Sequence, residues 1–302
     1  MNTPPPRFIP SPAPTRRRWL ALLGLAPLLQ ACSPLRLINA TVPGDTHTLQ
    51  ADLAYGSAAR QRADVYLPAG PSSGDAPIAV FFYGGSWSSG ERADYRFVGE
   101  ALASRGIVTV VADYRLSPEV RYPVFLQDCA LAVRWAAGRA AAFGASRERL
   151  FVVGHSAGAY NAAMLALDPR WLGGVGLSPG QLAGWVGLAG PYDFLPIGVP
   201  EVKTAFNWPD TPADSQPLFH AAAPAPSARR VLLLAARSDT LVNPQRNSVA
   251  MARALQRQGA RVDLELLDRV GHATLIGAMA RPLRGLAPVL DRVSGFLRQP
   301  SA

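Results

Sequence analysis

Residues 150–158 read Leu150-Phe151-Val152-Val153-Gly154-His155-Ser156-Ala157-Gly158. The apolar start of this stretch is typical of a buried strand, and the residues after Gly158 are mostly small and helix-forming. A strand, a tight turn and a helix in this order place Ser156 on a sharp elbow above the sheet. The flanking glycines leave room for the elbow, since a Cβ at either would crowd the neighbouring strand or helix. We therefore expect Ser156 to be a nucleophile, with the N–H groups of the following helix directed toward developing negative charge.

Short apolar segments alternate with helix-length segments along the rest of the chain. The predicted strands lie at 64–67, 78–83, 107–113, 150–154, 185–190, 231–236 and 262–267. The predicted helices lie at 93–105, 123–142, 157–167, 244–259 and 285–298. Most of these strands are continuously apolar, so we predict an α/β fold with a mostly parallel central sheet and helices on both faces. Residues 191–226, rich in Pro and Ala, break the alternation and are expected to form a short lid over the strand ends.

A serine hydroxyl needs a neighbouring base, and the chain has four histidines. His155 lies in the elbow beside the serine, and its side chain is expected to diverge from Ser156. His47 and His220 fall in the irregular start of the chain and in the lid. His272 directly follows the last predicted strand and emerges at the carboxyl edge of the sheet, where Ser156 also lies. His272 is therefore the predicted base.

The base in turn needs a carboxylate that holds its tautomer and stabilises the imidazolium. Asp239 follows the sixth predicted strand and reaches the same edge of the sheet. The order Ser156, Asp239, His272 along the chain is the order found in α/β-hydrolases. Asp193, which follows an earlier strand, and Asp268, which lies on the same loop as His272, are the alternatives. We rank Asp239 ahead of both.

Acyl transfer also needs N–H donors for the negative oxygen of the tetrahedral intermediate. One predicted donor is the backbone N–H of Ala157, the residue after the serine. The others are expected from Gly84-Gly85-Ser86-Trp87, which follows the strand at 78–83 and whose glycines let the backbone turn its N–H groups inward. We predict that Gly85 and Ser86 complete this oxyanion hole.

Taken together, these motifs resemble the α/β-hydrolase superfamily, and within it the esterases related to hormone-sensitive lipase, arylformamidases and acetylxylan or feruloyl esterases. The run Tyr83-Gly84-Gly85-Ser86-Trp87 is similar to the HGGxW or HGGG loop of that family. The run Asp113-Tyr114-Arg115-Leu116-Ser117-Pro118-Glu119 resembles its DYRLAPE segment, which props the oxyanion loop. The resemblance covers residues 60–298 and implies the α/β-hydrolase fold. Tyr83 stands where the family has His; because the oxyanion hole uses backbone donors, we expect the hole to survive this change.

The sequence thus predicts a serine carboxylesterase that hydrolyses a small or aryl carboxylic ester through an acyl-enzyme intermediate. We expect no cofactor, and no CxxC or HExxH spacing predicts a metal site. An arylformamidase or other amidase is the alternative among enzymes, because the GGxW loop occurs in that branch. Outside enzymes, the alternative is a non-catalytic lipoprotein of hydrolase fold, which the intact serine, aspartate and histidine candidates argue against.

Residues 1–31 have the layout of an export signal, with a basic cluster followed by an apolar run too short to span a bilayer as a helix. The pair Arg16-Arg17, shortly before Trp19-Leu20, resembles a twin-arginine signal. The run Leu29-Gln30-Ala31-Cys32 resembles a lipoprotein processing site, in which Cys32 would become the lipidated first residue. A plain secretory signal that contains a cysteine is the alternative.

These features predict an exported protein on the periplasmic side, anchored to a membrane through lipid on Cys32. Residues 32–60 are interpreted as a tether and irregular lead-in, and residues 61–302 as one catalytic domain. The net charge of +9 does not indicate a nucleic-acid partner, because the basic residues after residue 32 are scattered and form no stripe with interleaved aromatics. The expected partner is a small-molecule ester.

Overall fold

The computed structural model describes Met1 and residues 34–70, 74–222 and 230–299. The predicted signal peptide, apart from Met1, and the predicted lipidation site Cys32 lie outside these residues. From Leu35 onward the chain groups into one compact unit. No helix within the described ranges is long and apolar enough to cross a membrane.

Eight strands form one sheet in the described part of the chain. They are β1 (His47–Ala54), β2 (Arg62–Pro68), β3 (Ala76–Phe82), β4 (Val108–Ala112), β5 (Ala145–His155), β6 (Gly184–Leu188), β7 (Arg230–Ala236) and β8 (Arg261–Leu267). Their order across the sheet is β1-β2-β4-β3-β5-β6-β7-β8. The strand β2 pairs antiparallel with β1 and β4, and the other pairs are parallel. The predicted α/β fold with a mostly parallel sheet is confirmed.

Ten α-helices lie in the described part of the chain. They are α1 (Pro34–Ala40), α2 (Arg96–Ala103), α3 (Val124–Arg139), α4 (Ala157–Leu167), α5 (Pro169–Gly173), α6 (Pro200–Ala205), α7 (Pro217–Ala221), α8 (Ala250–Arg257), α9 (His272–Gly277) and α10 (Val289–Arg298). The helix α3 packs against α4, and α2 packs against α10. The crossovers from β3 through α2 to β4 and from β4 through α3 to β5 run in opposite directions along the sheet, and right-handed crossovers of opposite direction lie on opposite faces. Because both faces are covered, β4, β6 and β7 are buried along their whole length, which explains why their sequences do not alternate.

The folded domain begins earlier than the predicted boundary at residue 61. The predicted tether and lead-in at 32–60 contains α1 and the edge strand β1, which pairs with β2 from His47 opposite Pro68 to Ala54 opposite Arg62. Most side chains of β1 are exposed. An edge strand with both faces largely open to solvent needs no apolar pattern, and its sequence therefore resembles an irregular segment.

The predicted lid packs at the carboxyl edge of the sheet. Its described part contains the short helices α6 and α7, and residues 223–226 lie outside the described ranges. The Tyr160 hydroxyl, in the first turns of α4, donates a hydrogen bond to the Ser215 carbonyl at 2.7 Å. The Leu218 N–H donates to the Tyr192 carbonyl at 3.0 Å. The first of these bonds ties the segment to the helix that follows Ser156, and the second lies within the segment itself.

Candidate active site

Ser156 occupies the turn between β5 and α4 in a left-handed backbone conformation, with φ 54° and ψ −122°. A residue with a side chain adopts such a conformation only where the surrounding structure enforces it. The enforcement comes from close backbone approach: a Cβ at Gly154 would collide with the Gly158 carbonyl, and a Cβ at Gly158 with the Phe82 carbonyl at the end of β3. Both glycines of the elbow are therefore required by packing.

His272 lies between Ser156 and Asp239 and is hydrogen-bonded to both. Its Nδ1–H donates to Asp239 Oδ2 at 2.7 Å, and its Nε2 lies 2.8 Å from Ser156 Oγ. Because a carboxylate only accepts hydrogen bonds, the proton of the neutral imidazole belongs on Nδ1, and Nε2 is left to accept the serine proton. The N–H groups of Leu241 and Val242 each donate to Asp239 Oδ1 at 2.9 Å. The Asp239 side chain is fully buried, and that of His272 is 12% exposed.

The alternative carboxylates do not reach His272. Asp193 accepts a hydrogen bond from Arg246 Nε at 2.9 Å, and Asp268 accepts one from Arg237 Nε at 2.8 Å. Both are partly or largely exposed ion pairs. Asp239, which follows the end of β7, is the carboxylate that the structure brings to the histidine.

The loop after β3 lies directly against the serine. A Cβ at Gly84 would lie 2.8 Å from Ser156 Cβ. The backbone turns sharply here, with φ of 128° at Gly85 and 53° at Ser86. Within the described part of the chain, the N–H groups of Gly85, Ser86 and Ala157 donate no hydrogen bond. The structure thus places Gly84 against Ser156, and the N–H groups of the predicted oxyanion donors, which follow these two residues in the chain, have no acceptor among the described residues.

Tyr83, which stands where the resembled family has His, is part of the support under this loop. Its hydroxyl donates to Asp113 Oδ1 at 2.8 Å and accepts from Arg60 Nη2 at 2.8 Å. Its ring stacks between Tyr95 and Tyr114, and the Tyr114 hydroxyl donates to the Tyr83 carbonyl at 2.8 Å. Burial and the nearby Asp113 carboxylate raise the pKa of Tyr83 well above its ordinary value, so it stays a neutral hydroxyl. Tyr83 therefore helps to fix the start of the loop after β3.

An aromatic cluster surrounds Trp87, the last residue of the Gly84–Trp87 run in the loop after β3. The Trp87 ring contacts Phe206, Tyr160 and Phe194 at centroid distances of 4.7, 5.0 and 5.8 Å. Its indole N–H donates to Asn161 Oδ1 at 3.0 Å, inside a fully buried region. Because Asn161 lies on α4 and Trp87 on the loop, this bond links the two elements that carry the predicted oxyanion donors.

Two contacts at this site could not be found from the sequence. The pairing of Asn161 with Trp87 joins residues far apart in the chain, and no local motif marks it. The second contact is that of His155, whose Nε2 lies 3.1 Å from the main-chain carbonyl of His272. A histidine beside the nucleophile is the only signal that could have drawn attention to this second contact.

The carboxyl ends of parallel strands meet at one edge of a sheet, so residues that are distant in the chain converge there. Among proteins with such a sheet, a serine at a strained strand–helix elbow marks one particular class. The fold and the elbow define the protein as an α/β-hydrolase.

Comparison with known families agrees with this class. The model of the prolyl oligopeptidase family matches residues 124–291, more than half of the chain, and the chain belongs to this family of α/β-hydrolases. A second model, BD-FAE, matches residues 63–175.

Individual relatives carry hydrolase names. The chain is 29% identical over 252 residues to a probable isoprenylcysteine alpha-carbonyl methylesterase of Oryza sativa subsp. japonica, covering 77% of this chain and 58% of that protein. It is 28% identical over 233 residues to the kynurenine formamidase of Danio rerio, covering 76% of each chain. The chain thus spans little more than half the length of the plant relative. The hyperthermophilic esterase from the archaeon Pyrobaculum calidifontis has a TM-score of 0.71 at 21% identity, with 87% of this chain and 89% of that chain covered, which shows the fold alone.

Proposed function

We propose that this protein is a serine carboxylesterase. The single observation that carries the proposal is the hydrogen-bonded series Ser156–His272–Asp239, with distances of 2.8 and 2.7 Å between the reacting atoms. Nucleophile, base and orienting carboxylate at these distances form the arrangement that activates a serine hydroxyl.

In the proposed acylation step, Ser156 Oγ attacks the ester carbonyl carbon while its proton moves to His272 Nε2. The carbonyl oxygen becomes negative in the tetrahedral intermediate and accepts hydrogen bonds from the free N–H groups of Gly85, Ser86 and Ala157. The C–O bond to the alcohol then breaks, and the leaving oxygen takes the proton from His272. Asp239 stabilises the imidazolium formed in between.

Deacylation repeats these steps with water. His272 Nε2 takes a proton from a water molecule, whose oxygen attacks the acyl carbon, and the same N–H groups again stabilise the negative oxygen. When the bond to Ser156 breaks, its Oγ recovers the proton from His272. The enzyme returns to its starting state with one carboxylic acid released.

The proposed substrate is a small or aryl carboxylic ester. Support comes from the rice relative, which carries the name of a methylesterase. An arylformamidase is the second candidate, favoured by the similarity to the kynurenine formamidase of Danio rerio over 76% of both chains. Both reactions use the same acyl-enzyme chemistry.

An activity screen with matched variants tests the proposal. We expect turnover of short-chain aryl esters, and complete loss of it in a folded Ser156→Ala protein. Ser248→Ala is the matched control, because Ser248 is a buried serine in the helical segment before α8. Turnover of N-formyl arylamines faster than that of the esters would favour the formamidase. Turnover of aminoacyl arylamides faster than that of the esters would favour a peptidase. A protein inactive on all of these would favour the non-catalytic lipoprotein.

We further propose that the protein is exported and anchored by lipid at Cys32. The support is the sequence alone: Arg16-Arg17 ahead of an apolar run, and Leu29-Gln30-Ala31-Cys32 at its end.

A further inference from the structure

His155 is a buried histidine beside the nucleophile that the proposed proton transfers do not use. It is 5% exposed and is the last residue of β5. Its ring lies 5.0 Å from the ring of His272, measured between centroids. A buried imidazole this close to the catalytic base must either compete for the proton or be held out of the chemistry.

The hydrogen bond of His155 fixes its tautomer. Its Nε2 lies 3.1 Å from the His272 carbonyl oxygen, and because a carbonyl only accepts, Nε2 carries the hydrogen. Its Nδ1 is buried and has no partner among the described residues. A Cβ at Gly84 would lie 3.2 Å from this nitrogen, so the oxyanion loop closes over it.

The surroundings also keep His155 neutral. Protonation would place a hydrogen and a charge on Nδ1, where neither finds an acceptor. Burial and the charge of His272 lower the pKa of His155 to about 3; the His272 carbonyl and the Asp239 carboxylate act in the opposite direction. Near neutral pH, His155 is thus an uncharged donor next to the group that must change charge during turnover.

The bond joins two separate elements of the site. His155 ends the strand that leads into Ser156, and the His272 carbonyl belongs to the first residue of α9. The imidazole of His272 therefore has two anchors: Asp239 at its Nδ1, and His155 at its own backbone. The hydrogen bond from His155 connects the backbone of His272 to β5, the strand that leads into Ser156. Asp239, by contrast, follows β7.

We propose that His155 is a positioning residue: its Nε2–H holds the main chain of His272 so that His272 Nε2 stays within hydrogen-bond distance of Ser156 Oγ. This inference rests on the proposed function, since it concerns the same reaction. A neutral donor suits the task, because an aspartate would repel the carbonyl and a lysine would add a charge beside the imidazolium.

Two variants separate the hydrogen bond from the packing of the ring. In His155→Gln the side-chain amide keeps an N–H donor near the original nitrogen, and in His155→Leu the volume remains but the donor is lost. A misplacement of about 1 Å in an active site can cost about 10²-fold in rate. We therefore expect kcat on a short-chain aryl ester to fall at least about 30-fold in His155→Leu, with KM within about threefold of wild type, and kcat to stay within about fivefold in His155→Gln.

The outcomes that overturn the proposal are distinct. Wild-type kcat in His155→Leu would overturn it, and so would equal losses in both variants, since these would assign the effect to packing. His155→Phe, which also lacks a donor, replaces the leucine variant if the latter does not fold.

A second measurement does not depend on activity. In the nitrogen-15 spectrum of the wild-type protein at pH 5, we expect His155 to be neutral with its hydrogen on Nε2. A charged ring, or a hydrogen on Nδ1, would overturn the proposal even in an active enzyme. If this signature is found but no ester is hydrolysed, the proposed function fails instead.

Discussion

At the scale of single residues, Asp239 divides its two carboxylate oxygens between two tasks. One oxygen accepts the Nδ1–H of His272, and the other accepts the N–H groups of Leu241 and Val242. The backbone bonds prevent the carboxylate from rotating, so its charge faces the imidazole before substrate arrives. This preorganisation is the reason that we assign the carboxylate role to Asp239.

Exchange of this carboxylate for an amide tests the assignment. Asp239→Asn preserves size but cannot stabilise the imidazolium or enforce the tautomer that leaves Nε2 free. The equivalent change in serine proteases costs about 10⁴ in turnover, and here we expect a loss of at least about a hundredfold on an aryl ester. Asp193→Asn and Asp268→Asn are the matched controls and should each cost far less. Near-normal turnover in Asp239→Asn, together with collapse of either control, would contradict the assignment.

The buried His155 also predicts how stability depends on pH. Its pKa is lowered to about 3 in the folded protein, whereas the unfolded chain has the ordinary value of about 6.5. Below pH 6.5 the unfolded state takes up a proton that the folded state does not, so the free energy of unfolding falls as the pH is lowered toward 3. Between pH 7 and pH 5, wild type should lose about 2 kcal/mol more stability than His155→Gln, measured by denaturant titration. Parallel pH profiles for the two proteins would contradict this expectation.

At the scale of secondary-structure elements, α4 approaches β3 more closely than side chains would allow. Gly158, in the first turn of α4, lies where a Cβ would meet the carbonyl groups of Phe82 and Tyr83. This close approach brings the helix N-terminus and the oxyanion loop to the same point. The elbow therefore depends on the packing of α4 against β3, and Gly158 of the sequence motif is the residue that allows this packing.

Two glycine substitutions in helices separate packing from helix propensity. Gly158→Ala should lower the free energy of unfolding by at least about 2 kcal/mol, because backbone must shift to admit the methyl group. Gly138→Ala, in α3, is the control: a Cβ there meets nothing within 4 Å, so the change should raise stability by about 0.5–1 kcal/mol through helix propensity. Denaturant unfolding of both variants gives the comparison. Equal effects of the two substitutions would mean that α4 is not held against β3 as described.

At the scale of the whole molecule, the features predictable from the sequence are those that a parallel sheet imposes. Ser156, Asp239 and His272 each follow a strand, and because parallel strands end at one edge, their convergence could be expected without coordinates. The buried strands and the flanking helices were equally accessible from their apolar patterns.

Other features depend on contacts that no local pattern encodes. The edge strand β1 has mostly exposed side chains and therefore lacks the signal that marks the inner strands. The hydrogen bonds of Tyr83 with Asp113, of Trp87 with Asn161 and of His155 with His272 join residues that meet only after the chain has folded. Such contacts fix the side chains and loops around the site, whereas the strand order determines where in the sheet the site lies.

The proposed anchor of the molecule can be tested through Cys32. A lipid attached to this thiol would keep the protein with the membrane fraction, so Cys32→Ser should give a soluble or unprocessed protein. Cys129→Ser is the matched control, because Cys129 is buried in the core and should not affect fractionation. A wild-type protein that fractionates as soluble and carries no acyl chain would contradict the lipoprotein proposal and favour a plain secretory signal.

The most direct test of the central claim is covalent labelling of the intact protein by a fluorophosphonate, read by mass spectrometry with peptide mapping. This reagent reacts with a serine only where a base and an oxyanion hole activate it. We expect one adduct per chain, located on Ser156, and none in Ser156→Ala. Turnover of esters by a wild-type protein that takes no adduct at Ser156, or that is labelled at another residue, would contradict the claim that Ser156 is the nucleophile.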